Sequence, residues 1–135
     1  MDHVNTTELL FYQKLGELFY AIAASDNVVR KAEYDMLSQL VETQWKKQDE
    51  YKDAFDTDAA YQIAIVFEWF DYEQMDADDC FESFVDYYGD HKKLFSGKRK
   101  ELISKTAQEI ADAFQGTNKS ELVMLTKLQI LFETK

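Results

Sequence analysis

The lack of proline is the feature that most restricts how this chain can fold. Proline is absent, and glycine occurs only four times in 135 residues. Strand-rich folds need many turns, and turns draw heavily on these two residues. No segment shows a convincing alternation of apolar and polar residues, which is the pattern of a half-buried strand. We therefore predict an all-α protein, a compact bundle of six or seven helices.

Composition indicates a single globular unit. No Ser/Gly-rich linker divides the chain, so we expect one helical domain over residues 1–135. Apolar residues make up 46% of the chain and aromatic residues 15%, which is enough to bury a core. Cys80 is the single cysteine, which excludes an intrachain disulfide and any zinc site built from several cysteines.

Charge and hydropathy limit the classes of partner. The formal net charge is −11, which argues against nucleic acid and anionic lipid, because both are polyanions. No apolar run approaches the roughly 18 residues of a membrane span. The first five residues lack the basic start and apolar stretch of a signal peptide. We therefore expect a soluble cytoplasmic protein with no direct membrane insertion.

Apolar spacing and capping residues place the first two helices. The first is predicted to begin near Asn5, because an acidic residue follows at the capping-box spacing. Gly16 lies inside this helix, where glycine costs about 1 kcal/mol relative to alanine, so we expect another helix to pack closely there. After a break at residues 25–27, the second helix is predicted from about Lys31 to about Asp49.

The remaining helices follow from the same signals. The third, capped at residue 57 or 58, is apolar on more than one face, which indicates a central helix with neighbours on two sides. A fourth helix is predicted to begin at the cap Asp76. A fifth is predicted after Ser96 and Gly97, ending at Gly116, because glycine is common just past a helix end.

Two segments of the chain are similar when offset by 88 residues. Residues 23–37 and 111–125 share five identities in fifteen positions, and both cover a predicted helix–loop–helix. In the second, Asn118 is the predicted cap of the last helix and Glu121 follows at the capping-box spacing. This pattern fits a pseudo-twofold pair of hairpins, and it also fits two unrelated hairpins that share caps and apolar steps.

The first hairpin reads Ala21-Ile22-Ala23-Ala24-Ser25-Asp26-Asn27-Val28-Val29, followed by Glu33 and Leu37. This segment resembles the signature of the tellurite-resistance TerB-like family: an Ala-rich helix end, Asp-Gly, a spaced aliphatic residue and a Glu seven positions after the Asp. The second hairpin, Ala113-Phe114 followed by Asn118-Lys119-Ser120-Glu121-Leu122, resembles the second hairpin of one branch of the family. The resemblance spans most of the chain and is specific in these two hairpins.

The resemblance implies an all-helical fold with pseudo-twofold repeats and a link to tellurite, oxidative or phage stress. It also implies divalent metal bound through acidic residues; one branch occurs as a domain of membrane-anchored J-domain co-chaperones. The chain departs from the family pattern at two positions. Asn27 replaces the usual Gly, and Asn tolerates the left-handed conformation. Phe114 replaces the Asp of the second hairpin, so a carboxylate of a symmetric two-site arrangement is lost.

The candidate metal ligands are Asp26, Glu33, Asn118 and Glu121. A hard cation needs several oxygen ligands. The break between the first two helices can bring Asp26 and Glu33 together, and Asn118 with Glu121 supplies a matching pair if the hairpins pack side by side. Few carboxylates predict a weak site for Ca²⁺, Mg²⁺, Mn²⁺ or Zn²⁺ that keeps several waters. The metal-free alternative is that the same groups only cap helices and bond loop backbone.

The segment 68–90 carries nine acidic residues and no Lys or Arg. It is interpreted either as a solvated helix face or as a docking face for a basic protein partner. The basic residues that follow, between 91 and 100, can pair with the acidic face of another copy, which allows a homo-oligomer. Trp69 or Tyr72 can anchor a partner, although a buried two-sided helix also explains these aromatics.

The sequence offers little support for an enzyme. It has no Gly-rich phosphate loop, no H-E-x-x-H and no C-x-x-C. Acidic neighbours are expected to raise the pKa of Cys80 and blunt its thiolate. We therefore predict a non-enzymatic stress-response module of the TerB-like type that binds a divalent metal weakly and acts through protein partners. The alternative is a metal-free interaction or self-association domain.

Overall fold

The computed structural model describes residues 6–46, 59–113 and 116–133. These ranges contain six α-helices and no strand, and the helices are α1 (Thr6–Ala23), α2 (Lys31–Leu40), α3 (Gln62–Glu73), α4 (Ala77–Asp90), α5 (Gly97–Asp112) and α6 (Lys119–Glu133). A π-helical turn, Val41–Trp45, continues α2. The all-α prediction is confirmed. No helix in the described ranges is long and apolar enough to cross a membrane.

Helix α1 lies at the centre of the bundle. Eleven of its eighteen residues are buried, and α3, α4, α5 and α6 all pack against it. The prediction that the third helix is central is wrong, although α3 does pack against two helices, α1 and α2. Helix α3 buries Ile63, Val66 and Phe67 but leaves Ile65 and Trp69 exposed. A helix that is apolar all round has the same sequence pattern whether a neighbour covers its second face or not.

Helices α1 and α3 pack closely at Gly16, as its position inside a helix predicted. A Cβ added at Gly16 would lie 2.5 Å from the carbonyl oxygen of Ile63 and 2.9 Å from the Cβ of Val66. Both distances are shorter than van der Waals contact, so glycine is the residue that lets these two helices pack together.

The predicted helix caps agree with the structure where it describes them. Asp76 caps α4 by accepting from the Asp79 backbone N–H at 2.9 Å, and α5 begins at Gly97 with Ser96 as its cap. The fifth helix ends at Asp112, earlier than predicted, and Gly116 adopts a left-handed φ of +83° beyond it. The predictions at Asn5, at residues 57–58 and at the end of the second helix lie outside the described residues.

Candidate cation site between two helix breaks

The loop between α1 and α2 is organised by Asp26. One carboxylate oxygen of Asp26 accepts the Val28 backbone N–H at 3.1 Å, and the other pairs with the Arg30 guanidinium at 3.2 Å. Asn27, the residue after Asp26, has a φ of +70°. This is the left-handed conformation for which the TerB-like pattern uses glycine. Asparagine adopts this conformation at little cost, so the predicted tolerance at this position is confirmed.

The starts of α2 and α6 share one type of hydrogen bond, from the N-cap backbone N–H to a Glu side chain three positions on, although only Asn118 also caps with its side chain. Arg30 N–H donates to Glu33 Oε1 at 2.8 Å, and Asn118 N–H donates to Glu121 Oε1 at 3.1 Å. Asn118 Oδ1 also accepts the Glu121 N–H at 2.8 Å, which confirms the predicted capping box. Arg30 and Asn118 are separated by the same 88 positions as Glu33 and Glu121. The sequence repeat therefore corresponds to two helix starts built alike.

The two breaks meet in space. Asn118 Nδ2 donates to Asp26 Oδ2 at 2.8 Å across 92 positions of sequence. Glu121 is joined to Asn118 through its backbone N–H, and the side chains of Glu33 and Glu121 interact with each other. All four residues predicted as metal ligands therefore belong to one cluster, as expected if the two hairpins pack together.

The carboxyl groups of Glu33 and Glu121 are buried and face each other. The two residues are 0% and 1% exposed, and the Oε2 atom of each accepts no hydrogen bond from an N–H group or hydroxyl among the described residues. Burial, followed by the hydrogen bond with Glu121, raises the pKa of Glu33 to about 8, although the Arg30 N–H opposes this. Two facing carboxylates repel each other, so a shared proton or a cation stabilises the pair.

The donor chemistry of the cluster fits the core of a weak site for a hard cation. The two Oε2 atoms are carboxylate oxygens without donors, and Asp26 and Asn118 are adjacent. However, no group of three or more His, Cys, Asp and Glu side chains within the described ranges is arranged to hold a metal ion. Arg30 also lies 3.9 Å from Glu33 Oε2. A cation here would need water ligands and displacement of the Arg30 guanidinium.

Arg30 is the member of the cluster that the sequence analysis missed. Its guanidinium pairs with Asp26 at 3.2 Å and lies 3.9 Å from Glu33 Oε2. The signal was present in the sequence, because Arg30 is four positions after Asp26 and three before Glu33. Such spacings bring charged side chains together at a helix start.

Replacing Asn118 should cost more than replacing an ordinary cap. Asn118→Ala removes the cap of α6 and the hydrogen bond to Asp26, so we expect a loss of about 2 kcal/mol in the free energy of unfolding. The matched control Asp76→Ala removes only a cap and should cost about 1 kcal/mol. Urea denaturation of both variants measures the difference. Equal losses would show that the contact between the hairpins contributes nothing measurable.

Cys80 is not suited to be a nucleophile. The residue is buried in α4, and burial, with smaller contributions from nearby carboxylates, raises the pKa of its thiol to about 12. The thiolate is the reactive form of cysteine, so this side chain acts as a small core residue.

Comparison of the chain with protein-family models, curated proteins and solved structures gave no match. The resemblance to the TerB-like family therefore stays a prediction from the two hairpins. The description of the cluster depends only on its observed contacts and not on this resemblance.

Proposed function

We propose that this chain is a non-enzymatic cytoplasmic module of the TerB-like type that binds a divalent cation weakly at the Glu33–Glu121 pair. In this proposal it acts in a stress response through protein partners. The observation that carries the cation role is the pair itself, in which two buried carboxyl groups face each other and each has an oxygen without a hydrogen-bond donor.

Each residue of the cluster has a separate role in this proposal. Glu33 and Glu121 supply anionic oxygens, and their Oε1 atoms stay bound to the backbone N–H groups of Arg30 and Asn118. Those hydrogen bonds fix the orientation of both carboxylates and leave the Oε2 atoms for the cation. Asp26 is a further ligand once Arg30 releases it. With few protein ligands the ion keeps several waters, which predicts low affinity.

A thermal melt with and without Mg²⁺, Ca²⁺, Mn²⁺ and Zn²⁺ tests the cation site. A cation at 100 times its dissociation constant should stabilise the folded chain by about 2.7 kcal/mol, which raises the melting temperature by several degrees. The expected result is a rise for at least one ion in the wild type that is lost in the variant Glu33→Gln, Glu121→Gln.

The control separates a defined site from loose attraction of cations to an acidic protein. Glu82→Gln, Asp86→Asn removes two exposed charges from α4 and should leave the cation-induced rise unchanged. A rise that is equal in all three proteins would mean diffuse screening. The absence of a rise for every ion would reject the cation role.

The second candidate is a metal-free interaction or self-association domain. The exposed aromatics Trp69 and Tyr72, which are 58% and 82% exposed, favour it. In this case Glu33 and Glu121 share a proton and serve only to join the two hairpins. The melts distinguish the two, because a metal-free domain is not stabilised by any of the four ions.

A further inference from the structure

A groove of about 320 Å³ runs along the surface of α1. Its floor is the stretch of α1 from Leu10 to Glu17, and one wall is α3. Helix α4 lies next to two of the floor residues, because Ser83 Oγ accepts from Lys14 Nζ at 2.8 Å and donates to Glu17 Oε1 at 3.2 Å. The groove is thus lined by α1 and α3, and α4 is adjacent to its floor.

The α3 wall of the groove is apolar and exposed. Ile65 and Trp69 are 54% and 58% exposed, and Leu10 on the floor is 42% exposed. Val66 and Phe70 extend the apolar lining beneath them. A large exposed aromatic beside aliphatic side chains in a concave site is typical of a surface that anchors a partner.

The face of α4 that carries Ser83 is acidic. Three aspartates lie three, four or seven positions from Ser83 in the sequence and therefore share its helix face: Asp79, Asp86 and Asp90. All three are exposed. The positively charged side chain of Lys14 lines the groove, and it is paired with Glu17 at 3.0 Å. The groove therefore has an apolar wall on α3, and an acidic face of α4 lies beside its floor at Lys14 and Glu17.

We infer that this groove binds a short basic amphipathic helix of a partner protein. The floor from Leu10 to Glu17 is about 10 Å long, which matches two helical turns. The apolar face of the bound helix contacts Ile65 and Trp69, and its Lys or Arg side chains face the aspartates of α4. The inference rests on the proposed function in one respect: it identifies the surface through which the chain binds a protein partner. It does not depend on a cation at Glu33 and Glu121.

A second copy of the chain fits the groove less well. With a net charge of −11, two copies repel each other. The basic residues Lys92, Lys93 and Lys98 do not line the groove. If they bound in the groove of a second copy, the contact would join two different surfaces of the protein. Such a contact repeats without closing and leads to chains of molecules.

Fluorescence anisotropy with a labelled helical peptide of about 14 residues tests the inference. The peptide carries Leu and Phe on one face and Lys on the flanks. An analogue with Glu in place of every Lys, and a scrambled peptide of the same composition, should bind at least about 10-fold more weakly. Trp69→Ala should weaken binding by at least about 10-fold, whereas the control Ile130→Ala, at a residue 59% exposed on α6, should not change it.

Two further variants test the acidic face of α4 and the apolar wall separately. Asp79→Asn, Asp86→Asn should weaken binding and flatten its dependence on salt. Trp45 is buried and Trp69 is exposed, so binding should shift the fluorescence emission to shorter wavelength. Trp69→Phe should abolish that shift and leave the fold intact.

The outcomes separate the occupants and the two proposals. Equal binding of the basic, acidic and scrambled peptides overturns the inference, as does binding that Trp69→Ala leaves unchanged. Sedimentation that shows self-association lost in Trp69→Ala would assign the groove to a second copy instead. All titrations contain a chelator and are repeated with Glu33→Gln. If the chain binds no cation, peptide binding is still expected. If the groove binds no peptide, the result of the cation melts does not change.

Discussion

Glu33→Gln should abolish most of the pH dependence of stability between about pH 4.5 and about pH 8. The pKa of Glu33 is raised from 4.5 to about 8, mainly by burial. Between these values the folded chain holds a proton that the unfolded chain has released, so the free energy of unfolding falls as pH rises. The stabilisation is complete below pH 4.5 and lost above pH 8. Its slope approaches about 1.4 kcal/mol per pH unit.

Glutamine reproduces the protonated side chain at every pH. It can accept the Arg30 N–H, as Glu33 does at 2.8 Å, and donate its amide to the Glu121 carboxylate. We therefore expect Glu33→Gln and wild type to be equally stable near pH 4.5, and the variant to be more stable by several kcal/mol above pH 8. Urea denaturation across this range, with a chelator present, measures both curves.

An exposed carboxylate provides the control for the net charge. Glu82→Gln removes one charge on the surface of α4 and should keep the pH dependence of the wild type. If Glu33→Gln has the same pH slope as this control, the buried pair does not hold a proton. Adding a divalent ion that binds the pair should flatten the slope of the wild type, because the ion replaces the proton.

Gly16→Ala should destabilise the chain by about 3 kcal/mol, at the upper end of the cost of overpacking. The new Cβ would lie 2.5 Å from the carbonyl oxygen of Ile63. A backbone atom cannot rotate away as a side chain does, so α3 must move outward along its contact with α1. The better helix propensity of alanine returns only about 1 kcal/mol.

Gly89→Ala is the matched control. Gly89 also lies in a helix, and a Cβ added there meets nothing within 4 Å. This change should leave stability unchanged or raise it by up to about 1 kcal/mol. Thermal or urea unfolding of the two variants measures the contrast. A Gly16→Ala variant as stable as Gly89→Ala would mean that the two helices separate without cost.

The helical class and several caps could be predicted because they depend on neighbours in sequence. Asp76 and the pair Asn118–Glu121 cap their helices through backbone groups three positions away. Asn27 takes its left-handed φ within its own loop. Such contacts need no distant partner, so a local pattern is enough to place them.

Helix α3 shows where local pattern fails. Its apolar residues surround the helix, which predicted burial on two sides, yet Ile65 and Trp69 face outward. The neighbours of a helix are set by how the whole bundle packs, and α1 rather than α3 took the central position. The exposed apolar wall of the groove is therefore determined by tertiary packing and not by the local sequence pattern.

The sequence by itself determined the helical class, several caps and which four residues were candidates for a common site. Only the tertiary structure decided that Asp26 and Asn118, 92 positions apart, make a hydrogen bond, and that Glu33 faces Glu121 with both excluded from water. The physical reason is that a carboxyl group's protonation and ligand binding depend on burial and on charges that approach through space. Sequence distance fixes neither of these.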